Sequence, residues 1–171
     1  MDGRTGRERW TSVDTAMSRN VTVVRSTEKV KDAWLSLMRK RISGAPVVDD
    51  SGALVGVLSM TDINRAIIER MEKAKALRAA TMQFPDTAAE EKEEMRELAM
   101  VMRAITDCSV CSILPKDQKV YSLGPFDSLE RAIKLMAEKS VNLLPVVKDG
   151  HVVGVVTRQD IVLIVSGKPR T

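Results

Sequence analysis

Two stretches of this chain place a hydroxyl three residues ahead of a carboxylate: Ser59-Met60-Thr61-Asp62 and Thr157-Arg158-Gln159-Asp160. At the start of a helix this spacing makes a capping box, in which the hydroxyl accepts a first-turn N–H and the acid reaches back to the cap. The same place has a second use. Unpaired N–H groups and the positive end of the dipole suit a phosphate, while a carboxylate at the rim can take both hydroxyls of a ribose. The two uses are compatible.

Arg158 separates the two stretches. A cation in the first turn of a helix opposes the dipole by roughly 0.3 to 1 kcal/mol, so it is explained better by a bound anion than by water alone. The plainer account is an exposed side chain paired with a nearby acid. The first stretch has Met60 at this position. The site using Thr157, Arg158 and Asp160 is therefore expected to prefer a phosphorylated ligand. The site using Ser59 and Asp62 is expected to take an uncharged or differently posed one, or none.

Other chemistry is poorly provided for. Cys108 and Cys111 form one Cys-x-x-Cys, and the chain has a single histidine, His151. Zinc would need two further ligands, so no metal site is predicted within one chain; a site shared across a dimer and a redox pair are the alternatives to two small semi-buried residues. No nucleophile with a base and no converging acid–base pair is evident, so no catalytic residue is assigned and the chain is not expected to be an enzyme.

The elements that hold these residues occur twice. Pro46-Val47-Val48 and Gly56 to Ile63 return as Pro145-Val146-Val147 and Gly154 to Ile161, and Glu28, Val30, Ala33 and Leu37 match Asp127, Leu129, Ala132 and Met136. The duplication implies two like halves with a site at their seam. In the first copy, Val21 to Val24 reads as a strand, Thr27 to Arg41 as an amphipathic helix, Pro46 to Val48 and Leu54 to Leu58 as strands around a Gly turn, and Met60 onward as a second helix. The second copy follows with Val120 to Leu123, Ser128 to Glu138, Leu144 to Val147, His151 to Val156 and Arg158 to Val165. A unit of about 60 residues buries too little surface alone, so an α+β domain of two β-α-β-β-α repeats packed sheet to sheet is expected.

Ala45-Pro46-Val47-Val48 with Gly56-Val57-Leu58-Ser59-Met60-Thr61-Asp62, and Leu144-Pro145-Val146-Val147 with Gly154-Val155-Val156-Thr157-Arg158-Gln159-Asp160, resemble the cystathionine-β-synthase (CBS) domain. A tandem of two is similar to the Bateman module, with a pseudo-two-fold sandwich and two clefts for adenosine-containing ligands. The resemblance implies ribose contacts at Asp62 and Asp160 and phosphate contacts at Ser59, Thr157 and Arg158. It also implies a base pocket from Thr22, Ala45 and Pro46 in one copy and Ser122, Leu144 and Pro145 in the other. Ordinary strand packing accounts equally well for each of these six.

The resemblance sets expected boundaries: a disordered basic tail at 1–12, repeats at 13–71 and 107–166, a helical insert at 72–106, and a tail at 167–171. From Arg65 to about Thr81, running into the insert, Ile67, Ile68, Met71, Ala74 and Leu77 continue a helical stripe that Phe84-Pro85-Asp86-Thr87 breaks. Ala88 to Thr106 resumes it with Met95, Leu98, Met102 and Ile105, opening on Asp86, Glu90, Glu91, Glu93 and Glu94. This predicts a helical hairpin longer than such modules usually carry, either docked on its own sandwich, joining two protomers or receiving a partner.

Composition bounds what remains. The chain has 171 residues, 44% of them hydrophobic, and a net charge of +4. It has no apolar run near 18 residues, so no membrane association is expected, and with no signal-peptide pattern a cytoplasmic location is. Arg4, Arg7, Arg9, Lys168 and Arg170 read as solvated tails, which makes nucleic-acid contact the weaker expectation. The leading expectation is a regulatory, energy-sensing module, forming homodimers in the manner of its family, that binds AMP, ADP or ATP, with S-adenosylmethionine or NAD behind them. It would need no cofactor and would signal to a separate regulated protein. The alternative is a structural module that dimerises through its helices without a ligand.

Overall fold

The computed structural model describes residues 12–81 and 87–166. The basic tails and the Phe84-Pro85-Asp86 break lie outside the described residues. In chain order the elements are α1 (Val13–Ala16), β1 (Val24–Arg25), α2 (Val30–Arg39), β2 (Gly44–Val48), β3 (Leu54–Ser59), α3 (Met60–Thr81) and α4 (Thr87–Asp107). A 3₁₀ turn at Val110–Ser112 follows, then α5 (Leu129–Glu138), β4 (Leu143–Lys148), β5 (His151–Thr157) and α6 (Arg158–Val165). Strands β1, β2 and β3 form one sheet in that order, and β4 and β5 form a second. The fold is α+β, with each predicted helix present.

The leading strands are shorter than predicted. In place of a strand at 120–123 there is a single parallel bridge from Leu123 to Val146, in which the Leu123 N–H donates to the Pro145 carbonyl at 2.9 Å and the Val147 N–H to the Leu123 carbonyl at 2.8 Å. A longer ladder would next require an N–H from position 145, and proline has none. Pro46 stands at the matching position of the first copy, where β1 is only two residues long.

The chain divides into two compact units, and each draws on both copies. One unit comprises the chain up to Val24, Ala45–Val57 and the chain from Gln118 onward. Its core gathers Val13, Met17, Leu123, Leu129, Met136, Leu144, Val146 and Val156, with α1 packed on α5, α6 and β5. The β4–β5 hairpin turns at Asp149 and Gly150, with φ of 51° and 81°, the left-handed pair that a two-residue hairpin requires.

The other unit comprises Arg25–Gly44 and Leu58–Asp117, in which α4 packs against both α2 and α3. Its buried apolar side chains include Val30, Ala33, Leu37, Ile63, Ala66, Val101 and Ile105. These follow the three- and four-residue spacing of the helices that carry them.

A backbone exchange explains why the units mix the copies. The Val13 N–H donates to the Asp127 carbonyl at 2.8 Å beside a Ser12–Ser128 bridge. In the other unit the Val110 N–H donates to the Glu28 carbonyl at 2.8 Å beside a Lys29–Ser109 bridge. The segment leading into each repeat is thus tied to the helix entry of the other.

Candidate functional site

The second copy's candidate residues all lie in one unit, at one end of the β4–β5 hairpin. Its register sets Thr157 opposite Leu143, Val156 opposite Leu144 and Val155 opposite Pro145. Leu123 runs alongside, which puts the exposed Ser122 toward that same end, while Leu144 and Pro145 are buried. The Arg158 N–H donates to the Asn142 carbonyl at 3.2 Å, pinning the start of α6 to the start of β4.

Thr157 is the N-cap of α6 and closes a complete capping box. The Asp160 carboxylate accepts from the Thr157 N–H and hydroxyl, each at 2.8 Å, and the Thr157 hydroxyl accepts from the Asp160 N–H at 3.4 Å. Asp160 is only 7% exposed, a burial such bonds make tolerable for a carboxylate. Arg158 points outward from the first turn, and among the described residues no acid lies within ion-pair distance of it.

The first copy repeats the box with a difference. The Asp62 carboxylate accepts from the Ser59 N–H at 2.9 Å and from its hydroxyl at 2.6 Å, and the Ser59 hydroxyl accepts from the Asp62 N–H at 3.3 Å. The Met60 N–H donates to the Ser43 carbonyl at 3.0 Å, as Arg158 does to Asn142. The second oxygen of Asp62, however, is bound by Arg65, one turn further along α3. Leu163 occupies the matching place in the second copy. Both oxygens of Asp62 are therefore engaged within its own helix.

Sequence reasoning missed Arg65. The available signal was an acid and a cation three apart in the first turns of one helix, a spacing that pairs them. Of the remaining first-copy candidates, Ala45 and Pro46 are buried in β2, and Thr22 is half-buried ahead of β1. These three fall in one compact unit, whereas Ser59 and Asp62 fall in the other.

The cysteines have local partners. Cys108 is half-buried, and its thiol donates to the Ile105 carbonyl at 3.1 Å; Cys111 is exposed, its sulfur 3.2 Å from the Ser109 hydroxyl. His151 is exposed, with Nδ1 2.9 Å from the Asp149 carbonyl. Among the described residues no group of three or more His, Cys, Asp or Glu is placed to hold a metal ion. No described helix is long and apolar enough to cross a membrane.

Two helix starts with reciprocal hydroxyl–carboxylate caps, each following a Pro-Val-Val strand and a β-hairpin, define a duplicated module. The family model for the CBS domain matches residues 12–69 and again 113–167. The chain belongs to the CBS-domain family as a tandem pair. The CBS domain-containing protein CBSX2 of Arabidopsis thaliana is 31% identical over 84% of this chain and 58% of its own length. The A-adding tRNA nucleotidyltransferase of Aquifex aeolicus is 30% identical over 80% of this chain but only 12% of that enzyme. Among solved structures, CBSX2 in complex with AMP matches with a TM-score of 0.62 at 24% identity, covering 91% of this chain and 96% of that one. The CBS pair of MJ0100, in complex with 5′-methylthioadenosine and S-adenosyl-L-methionine, matches with a TM-score of 0.60 at 19% identity, covering 91% and 99%.

Proposed function

We propose that this chain is a regulatory module that binds an adenosine-containing compound, AMP, ADP or ATP in the first place, and reports its level to a separate protein. S-adenosylmethionine and NAD are the next candidates. The second copy supplies the stronger site: Asp160 takes the ribose hydroxyls, Thr157 and Arg158 take phosphate, and Ser122, Leu144 and Pro145 border the base.

The observation that carries this reading is Arg158. An exposed guanidinium in the first turn of α6, with no described acid beside it, stands against the helix dipole unless it meets an anion. In support, relatives of the same family have been crystallised with AMP and with S-adenosyl-L-methionine. The work proposed for the site is binding and not turnover.

The first copy supports a weaker ligand contact, with Ser59 and Asp62 as its residues in one compact unit. A ribose on Asp62 would have to displace Arg65. The ligand-free structural reading draws its support from this same pair.

Thermal melting tests the proposal. A ligand present at one hundred times its dissociation constant adds about 2.7 kcal/mol to stability. A rise in the midpoint with AMP, ADP or ATP is expected. A midpoint unmoved by these nucleotides, by S-adenosylmethionine and by NAD would leave the structural reading in place.

A further inference from the structure

Val57, on the last strand of its sheet, is bonded by a side chain where a further strand would pair. Its N–H donates to the Gln118 Oε1 at 3.1 Å, and the Gln118 Nε2 donates to the Val57 carbonyl at 3.0 Å. One carboxamide thus answers both backbone groups of Val57, as the peptide of a neighbouring strand does. Val155 is the matching residue of β5, and its partner is backbone. The Ser18 N–H donates to the Val155 carbonyl at 2.8 Å and the Val155 N–H to the Ser18 carbonyl at 3.0 Å. All four residues belong to one compact unit.

The two clasps differ in what opens them. Ser18 follows directly on Met17, the C-cap of α1, and Met17 is buried in that unit's core, so releasing Val155 means lifting packed chain. Releasing Val57 takes only the rotation of one half-buried side chain. Gln118 also opens the lead-in to the second repeat, which is anchored again where Leu123 exchanges backbone bonds with Pro145 and Val147. Ser122, exposed beside that anchor, borders the candidate site. Closing the clasp orders the residues between the two anchors, and a ligand held against Ser122 has already ordered part of them.

We propose that Gln118 is the link by which a ligand in the second copy's site acts on the first repeat. An occupied site steadies the lead-in, the Gln118 clasp closes, and β3, the strand that ends at Ser59, is held tighter. By reciprocity, a closed clasp raises the affinity for ligand. This inference rests on the adenosine-binding reading and adds to it a route between the repeats.

Amide hydrogen exchange read by NMR tests it, with the Val155 N–H as internal reference. Gln118→Ala should speed exchange at Val57 about tenfold and leave Val155 unchanged, as loss of one hydrogen bond of ordinary strength would. Should that variant loosen Val155 as well, Gln118→Met, which keeps the length and lacks the amide, replaces it in the same comparison. Saturating AMP should slow Val57 in the parent chain at least about fivefold more than Val155, and that excess should vanish in the variant. If calorimetry shows no uptake of AMP, whichever of ADP, ATP, S-adenosylmethionine and NAD is taken up serves in its place. Three results would overturn the proposal and leave the adenosine reading standing: variants that do not move Val57 apart from Val155, a bound ligand that slows Val57 no more than Val155, and an excess that persists without the amide. A parent chain that takes up none of the five compounds would overturn both.

Discussion

The Asp160 carboxylate accepts both the backbone N–H and the hydroxyl of Thr157 at 2.8 Å, which fixes the start of α6 before any ligand arrives. The box is thus a structural cap and a candidate ribose site at once. Asp160→Ala should cost about 1 kcal/mol of stability as well as affinity. Asp160→Asn keeps an acceptor for Thr157 and should melt within a degree or two of the parent. It should still lose roughly 1.5–3 kcal/mol of AMP affinity, the worth of hydrogen bonds to a charged group. Unchanged AMP affinity in the Asn variant would confine Asp160 to capping.

Arg158→Met installs the residue that the first copy carries at this position. Loss of a charge-assisted contact should weaken AMP about tenfold or more and leave adenosine nearly unchanged. Titration calorimetry with both ligands separates the two cases. Equal losses would contradict a phosphate role.

Met17, the C-cap of α1, lies against β5 at Gly154, where an added Cβ would collide with the Met17 Sδ. The Ser18 N–H and the Val155 carbonyl bond at 2.8 Å alongside, with the reverse bond at 3.0 Å. Gly154→Ala should therefore destabilise the chain by about 1–3 kcal/mol through overpacking. Met17→Ala in the same chain should recover part of that loss, as denaturant unfolding would show. Additive losses would mean that the two sites are uncoupled.

Asp49 shapes the β2–β3 turn, accepting from the Ser51 hydroxyl at 2.6 Å, the Ser51 N–H at 2.9 Å and the Ala53 N–H at 3.0 Å. These bonds, the Ser51 hydroxyl first, hold its carboxyl below the ordinary aspartate value of 3.8. A lowered folded pKa means that the turn's contribution is present above the unfolded value and is lost as pH falls through the folded one. An NMR titration should place Asp49 below 3.8, and Ser51→Ala should move it up toward that value. An upward shift in the parent chain would contradict the bonding described.

Much of this was legible in the chain. The stripe of Met95, Leu98, Met102 and Ile105 falls within α4, and α6 occupies the predicted 158–165. What escaped were relations without a side-chain signature. The bond from Val110 to Glu28 is made by backbone atoms alone, so no residue type announced that the lead-in to each repeat docks on the other. The short leading strands were written in Pro46 and Pro145, which had been counted as strand formers when their missing N–H also limits the neighbouring ladder. At the helix starts the hydroxyl–acid spacing implies the caps, whereas the Arg65–Asp62 ion pair follows from a separate three-residue spacing that the capping motif does not contain.

The most direct test is titration calorimetry of the parent chain with AMP, repeated with Asp160→Asn and Arg158→Met. The account predicts saturable binding to the parent that both substitutions weaken while the chain stays folded. Absence of heat with AMP, ADP, ATP, S-adenosylmethionine and NAD, or binding that neither substitution touches, would contradict it.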